Sequence, residues 1–328
     1  MKRWIFVLAA FVLAAARFEA ASRADELAVK VPENTKFVLQ LDLQAFRATA
    51  LGGKLVDIAR NKATHELAAG GGQGKEAGLD KIHEMLGFDP FKEIQAIVVS
   101  GSDYERPEKS VVVSIRMGKS TGNLEGLILG VPGYESEAYG KYTIHSAAPE
   151  KDVHVFGSIH TDAKGDKTVL LASQRESITR LLDQLDGKPA GDASFKTIRL
   201  ASDGKPILAL EVLEIPTKMV GDGPQSGVVK VLRTVSLRVA ESKGDLNIVL
   251  SLAAATEQQA EQLRQMAQGL IAMLDFAQSQ NPDDADLKKV QQIVHDIKAV
   301  RDGSSLKLNL TVPSEELKKL IDQQIGDH

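Results

Sequence analysis

Phe37-Val38-Leu39-Gln40-Leu41-Asp42-Leu43-Gln44 places Phe37, Leu39, Leu41 and Leu43 at every second position among mostly polar neighbours. That period of two predicts a strand with one buried face. The pattern returns far downstream. Leu39-Gln40-Leu41-Asp42-Leu43 matches Leu208-Ala209-Leu210-Glu211-Val212, acid for acid, and Val111-Val112-Val113-Ser114-Ile115 matches Ile248-Val249-Leu250-Ser251-Leu252, serine included. A third block, Val169 to Gln184, corresponds to Leu308 to Gln323 and ends Leu181-Leu182-Asp183-Gln184 against Leu320-Ile321-Asp322-Gln323. The second and third blocks are separated by 137 and 139 positions, and the first by 169. Matches sharing a spacing indicate an internal repeat, with about thirty extra residues between the first two matched strands. That interval holds a helical stretch from Ala45 to Thr64, the glycine-rich break Gly70 to Gly74 and a short helix from Leu79 to Leu86.

The punctuation between blocks fits. Asp89-Pro90 offers an N-cap followed by Pro at the first helical position; Ser173 with Glu176, and Thr256 with Gln259, have capping-box spacing; Pro313 with Glu315 and Glu316 opens the last helix. Glu241 to Asp245 is a hairpin signal, and Gly187-Lys188-Pro189-Ala190-Gly191-Asp192 reads as a linker. Leu263, Met266, Leu270 and Leu274 form one helical stripe; Leu287, Val290, Val294 and Ile297 form a second after Asn281-Pro282. The expected fold is α+β: two related units of antiparallel sheet, each covered by helices on one face, after an N-terminal signal peptide. Its parts are a leader at 1–24, a first domain at 25–187 with a helical insertion near 45–86, and a second at 188–328 with a helical hairpin near 256–299.

Lys2 and Arg3 precede an apolar run from Trp4 to Ala16. Thirteen residues are too few to cross a bilayer and suit a secretory leader, with Ser22 and Ala24 placing the cut after Ala24 and Ala16 as the next candidate. The expected location is periplasmic or secreted, with no stable membrane span after processing. Those 24 residues carry Lys2, Arg3, Arg17 and Arg23 against Glu19, so their loss takes the net charge from −4 to −7. Nucleic acid is a poor partner for such a chain. Cys is absent, which excludes thiol catalysis, Cys-ligated zinc and lipidation at Cys.

A strand of the Leu41-Asp42-Leu43 type, the stretch Leu51-Gly52-Gly53-Lys54-Leu55, the turn Gly87-Phe88-Asp89-Pro90 leading into Ile94 to Ser100, and a late long helix before Leu306 to Val312 resemble uncharacterised exported bacterial proteins built of two tandem α+β units. The resemblance implies the architecture and carries no catalytic residues.

Local chemistry is sparse. Gly70-Gly71-Gly72-Gln73-Gly74-Lys75 lacks the first glycine and the final Ser or Thr of a phosphate loop. His65-Glu66 and His83-Glu84 lack the second histidine of a zinc-protease helix. His145, His154, His160 and Asp162 are the richest metal-type cluster, with His145 able to approach His154 across a hairpin. But His154 and His160 stand about 20 Å apart along one extended strand, so a polar surface face is the expected role. Asp42 and Glu211, equivalent acids of the repeat, could pair as general acid and base; strand-end or solvent-face acids explain them more simply. No catalytic, cofactor-binding or metal residue is assigned, and no cofactor. The expectation is a non-enzymatic envelope binding or interaction protein with an envelope protein or small ligand as partner. The alternatives are a periplasmic hydrolase with no local motif and a metal-binding accessory protein.

Overall fold

The computed structural model describes residues 27–69, 87–119, 121, 124–129, 133–150, 153–188, 195–200, 206–216, 226–242, 244–282, 284, 291 and 293–326. The leader, the Gly70 to Gly74 break, the Leu79 to Leu86 helix and most of the linker lie outside the described residues. The protein is α+β, with large antiparallel sheet and helices, and its contacts divide it between Arg199 and Leu200.

The unit of residues 27–199 runs β1 (Leu27–Pro32), β2 (Phe37–Asp42), α1 (Leu43–Ala48), α2 (Ala50–Ala69), α3 (Pro90–Glu93), β3 (Ile94–Gly101), α4 (Pro107–Ser110), β4 (Val112–Met117), α5 (Leu124–Ile128), β5 (Glu135–Tyr139), β6 (Tyr142–Glu150), β7 (Val153–Thr161), β8 (Lys167–Ala172) and α6 (Arg175–Leu185). Its strands are hydrogen-bonded in the order β2-β3-β4-β8-β7-β6-β5, every pair antiparallel. A separate strand, β9 (Phe195–Leu200), pairs with β1 and carries the unit past the Gly187 to Asp192 linker expected to end it.

The first strand is shorter than its alternation predicts, because Leu43 and Gln44 belong to α1. Asp42 ends β2 in extended geometry and its Oδ1 accepts the Ala45 N–H at 2.7 Å, so cap chemistry converts the period from 2 to 3.6. Thr49 does the same for the next helix, accepting the Gly52 N–H at 2.8 Å while its hydroxyl donates to the Phe46 carbonyl. A Cβ at Gly52 would overlap that carbonyl, which explains the glycine in Leu51-Gly52-Gly53.

Register decides which side chains share a face. Leu41, Ile97, Ile115 and Val169 stand opposite one another in successive strands; Leu170 lies opposite Ser114 and Ser158 on the other face. Val112, Tyr142, Ile144, Leu170 and Ala172 pack under Ile178, Leu181 and Leu182 of α6. Ile115, Ile159 and Val169 meet Phe88, Met117 and Leu124 on the reverse. Cover on both faces replaces the expected one-face cover in this unit. The Ser173/Glu176 capping box is also absent: Gln174 is the N-cap of α6 and makes no side-chain cap bond, and the buried Ser173 Oγ has no hydrogen-bond partner among the described residues.

The unit of residues 200–328 contains β10 (Leu208–Val212), α7 (Ser226–Val231), β11 (Leu232–Ser242), β12 (Asp245–Ala254), α8 (Glu257–Gln280), β13 (Lys298–Asp302), β14 (Ser305–Pro313) and α9 (Ser314–Gly326). Its order is β10-β11-β12-β14-β13, again antiparallel. Leu210, Leu237, Leu250 and Leu308 face together, and Glu211, Ser236, Ser251 and Lys307 occupy the opposite face. Ala260 and Leu263 of α8 are buried with Ala254 and Leu306, against Leu252 and Leu308. The Thr256 cap holds as its spacing predicts: its Oγ1 accepts the Gln259 N–H at 3.2 Å, and Gln259 Oε1 accepts the Ala255 N–H at 3.1 Å.

Candidate functional site

The acids and histidines singled out by sequence are engaged in local structure. Asp42 is the α1 cap, and Glu211 is ion-paired with the buried Arg238. Each is therefore engaged inside its own unit. His145 does not face His154. It opposes Gly157, because β6 and β7 slip register between Ala147 and Glu150, so His145 lies on the face of Val155, Gly157 and Ile159 while His154 lies on the other. His145 is buried, with Nδ1 3.1 Å from the Tyr134 hydroxyl, and burial pulls its pKa down while Glu125 opposes the shift. His154 is exposed, and the expected polar surface face fails at His160 and Ser158, which are buried. Among the described residues no three metal-ligating side chains converge.

Beside His160 lies a cluster that local sequence gave no sign of. Asp186, the C-cap of α6, receives the Tyr142 hydroxyl at 2.6 Å and Lys141 Nζ at 2.8 Å, with Lys188 at 3.6 Å and His160 Nε2 at 4.0 Å. The bonds from Lys141 and then Tyr142 hold its carboxyl at about 2. Tyr139 donates to Asp183 at 2.6 Å, and Lys188 pairs with the same carboxylate at 2.9 Å. Burial lowers the His160 pKa, partly countered by Asp186. The Asp186 carboxylate, tied to Tyr142 and Lys141 with His160 at its edge, clamps the end of α6 onto β6.

The surface that stands out is on α8. At 100° per residue Met266, Leu270 and Met273 fall within about 60° of one another, and Leu270 stands only about 20° from the buried Leu263, so the row continues that stripe beyond the part of the helix that is covered. They are 44%, 67% and 69% exposed, and Phe276 is 67% exposed. Between Gln262 and Gln280 the exposed residues of α8 are Gln, Met, Gly, Leu, Ala, Phe and Ser, with no charge among them. All four charged side chains of the helix are used at its flanks. Arg264 pairs with Glu261 at 2.6 Å, Arg301 with Glu257 at 3.1 Å, and Asp275 takes His295 Nε2 at 2.7 Å and Gln291 at 2.8 Å. The last two contacts tie Gln291 and His295 to α8; most of the second helix of the expected hairpin lies outside the described residues. A groove of about 480 Å³ runs along α8 beside α7, lined by Gly227, Val231, Gln262, Leu263, Gln265 and Met266.

No protein-family model and no curated protein matches the sequence. Among solved structures the chain is similar to TP0453. Crystal form III has a TM-score of 0.43 and 12% identity over 94% of this chain and 97% of that one; form I has 0.39 and 12% over 94% and 96%; form IV has 0.43 and 13% over 89% and 97%.

Proposed function

We propose that this is an exported, non-enzymatic interaction protein of the cell envelope, in which α8 seats an uncharged apolar surface of a protein partner. The observation that carries the reading is the solvent-facing row Met266, Leu270, Met273 and Phe276, on a helix whose two charges between Gln262 and Gln280, Arg264 and Asp275, lie on the side away from Met266 and are ion-paired there. Contiguous apolar surface rimmed by polar residues marks interaction sites, and methionine suits an adaptable one. Glutamines along the row supply hydrogen bonds at its rim. The absence of Lys and Arg from the row disfavours an anionic bilayer, which basic residues on the polar flank would attract. The short apolar run after Lys2 and Arg3 supports export, and N-terminal sequencing of envelope material should begin at Asp25. A duplication is part of the same proposal. It is supported by the parallel strand orders of the two units, in which the strands of Leu41 and Leu210, of Ser114 and Ser251, and of Leu171 and Leu310 take corresponding places.

A photo-crosslinking residue at position 270 should give one discrete adduct in intact envelopes. Phe276→Gln with Met273→Gln should abolish it without changing the unfolding midpoint, and a crosslinker at position 141 should give none. Adducts equal at both positions would refute the reading. So would flotation of the wild type, but not the variant, with phosphatidylglycerol vesicles, because the row would then serve a membrane surface.

A further inference from the structure

We propose that the unit of residues 27–199 holds a binding site for a small phosphate monoester, in the cavity where α4 and the start of α6 approach the end of β3. The cavity, about 330 Å³, is at the lower end of the range for ligand pockets and larger than one inorganic oxyanion needs. Arg106, Lys109 and Arg180 line it, with Ser102, Gln174 and Ser177 as neutral donors. Asp103 is the only carboxylate in its lining, and it is already committed. Its Oδ1 accepts the N–H groups of Glu105 at 2.8 Å and Arg106 at 3.1 Å, and its Oδ2 lies 3.6 Å from Arg106 Nε. Those backbone bonds, Arg106 first, hold the Asp103 carboxyl below its ordinary range. Lys109 and Arg180 have no ion-pair partner among the described residues. Three cations against one carboxylate leave an excess near that of a phosphate monoester dianion, which carries about −1.5 to −2. In an acidic chain such an excess must be assembled against the overall composition.

The frame around the cations is fixed before any ligand arrives. Ser110 Oγ accepts the N–H of Asp103 at 3.0 Å and of Ser102 at 3.3 Å, closing the loop that carries Arg106 and Lys109. Tyr104 donates to the Lys36 carbonyl at 3.1 Å and stacks on Phe37 at 5.5 Å. Gly101 permits this stack, since a Cβ there would run into the Phe37 ring. Gln174 is the N-cap of α6 and Ser177 lies in its first turn, which has no side-chain cap, so the positive end of that helix adds to the field of the cations. Preorganisation of this kind lowers the entropic cost of binding. No step of bond making is implied.

The test titrates the purified protein with glycerol 3-phosphate, inorganic phosphate, glycerol, and sodium chloride at matched ionic strength, followed by amide NMR shifts. Saturable binding of glycerol 3-phosphate, weaker for inorganic phosphate and absent for glycerol, is expected, with shifts confined to residues around 100–110 and 174–180. Arg180→Gln and Lys109→Gln should each weaken it by about tenfold or more, since a hydrogen bond to a charged group contributes at least that much. Arg180→Lys should lose less, and Leu270→Gln nothing. Both residues are exposed, so unchanged unfolding midpoints will show that the variants are folded. A response reproduced by sodium chloride, equal affinity in Arg180→Gln, or binding only to phosphatidate vesicles would overturn the proposal. The site is independent of the α8 reading and can stand or fall without it.

Discussion

Ser114 and Ser251 occupy matching places in the two units, yet the residues opposite them are Leu170 in one and Lys307 in the other. Leu170 is buried beneath α6; Lys307 is solvent-accessible and pairs with Asp302 at 2.8 Å. The face that carries the serine is thus an apolar floor for a helix in the unit of residues 27–199. In the unit of residues 200–328 it is a polar face bearing Ser236, Asn309 and the Glu211–Arg238 pair. The second unit places its long helix α8 on the Leu252, Leu306 and Leu308 side instead. Matching strand order is therefore compatible with different cover on the serine face, and a few residues per strand decide whether that face is apolar.

The sharpest way to break this contrast is to remove the floor's counterpart. Leu182 is fully buried, so Leu182→Ala should cost about 2–5 kcal/mol, read by urea unfolding with peptide-resolved hydrogen exchange. Exchange should rise throughout 27–199; Lys307→Gln in the other unit should change stability by less than about 0.5 kcal/mol. Equal effects would erase the distinction between the faces. On the polar face, Glu211→Ala strands a buried guanidinium and should cost about 3 kcal/mol. Replacing both partners, Glu211→Leu with Arg238→Met, should recover much of that loss in the same unfolding measurement.

Acid should separate the units as well. His145 and His160 have pKa values lowered by burial, so the unfolded chain takes up protons first as pH falls below the ordinary histidine value of 6.5. Stability of the unit of residues 27–199 should therefore decline from about pH 6.5 downward, until the folded-state pKa values are passed. Asp186, depressed to about 2, contributes stability that is complete above its ordinary 3.8 and is lost as pH falls from there through about 2. His145→Gln with His160→Gln should flatten the upper limb of a urea-midpoint profile and leave the lower limb; an unchanged upper limb would assign the acid loss to other groups. The smallest expected effect is at the strand-to-helix switch. Asp42→Ala removes one cap bond and should cost about 1 kcal/mol, with exchange rising first at Ala45 to Arg47.

The matched segments were legible as strands from their period of two, but the buried face was not: Val38, Gln40 and Asp42 are buried beside a half-buried Leu39, and Ala209 is buried while Leu210 is half-buried. The sequence pattern misled at Leu43, where an apolar residue continues the alternation but the Asp42 side chain has already started a helix. It misled at His145 because a register slip between Ala147 and Glu150 has no signature in composition. The α8 stripe was legible as a helix, whereas which side of it would face water depends on where β14 lies. The cationic cavity was not legible at all: Arg106 and Arg180 are far apart in sequence, and only the pairing of β4 with β8 brings their segments together.

The row on α8 contains two accessible thioethers, Met266 and Met273, whereas Met117 is buried in the other unit. In an oxidising envelope, peroxide would reach the accessible pair first and convert them to sulfoxides, turning soft apolar groups into polar, chiral ones. The surface proposed to hold a partner would then lose its grip while the packed layers beneath it stayed intact, and methionine sulfoxide reductase would restore it. Occupancy of α8 would follow the redox history of the compartment.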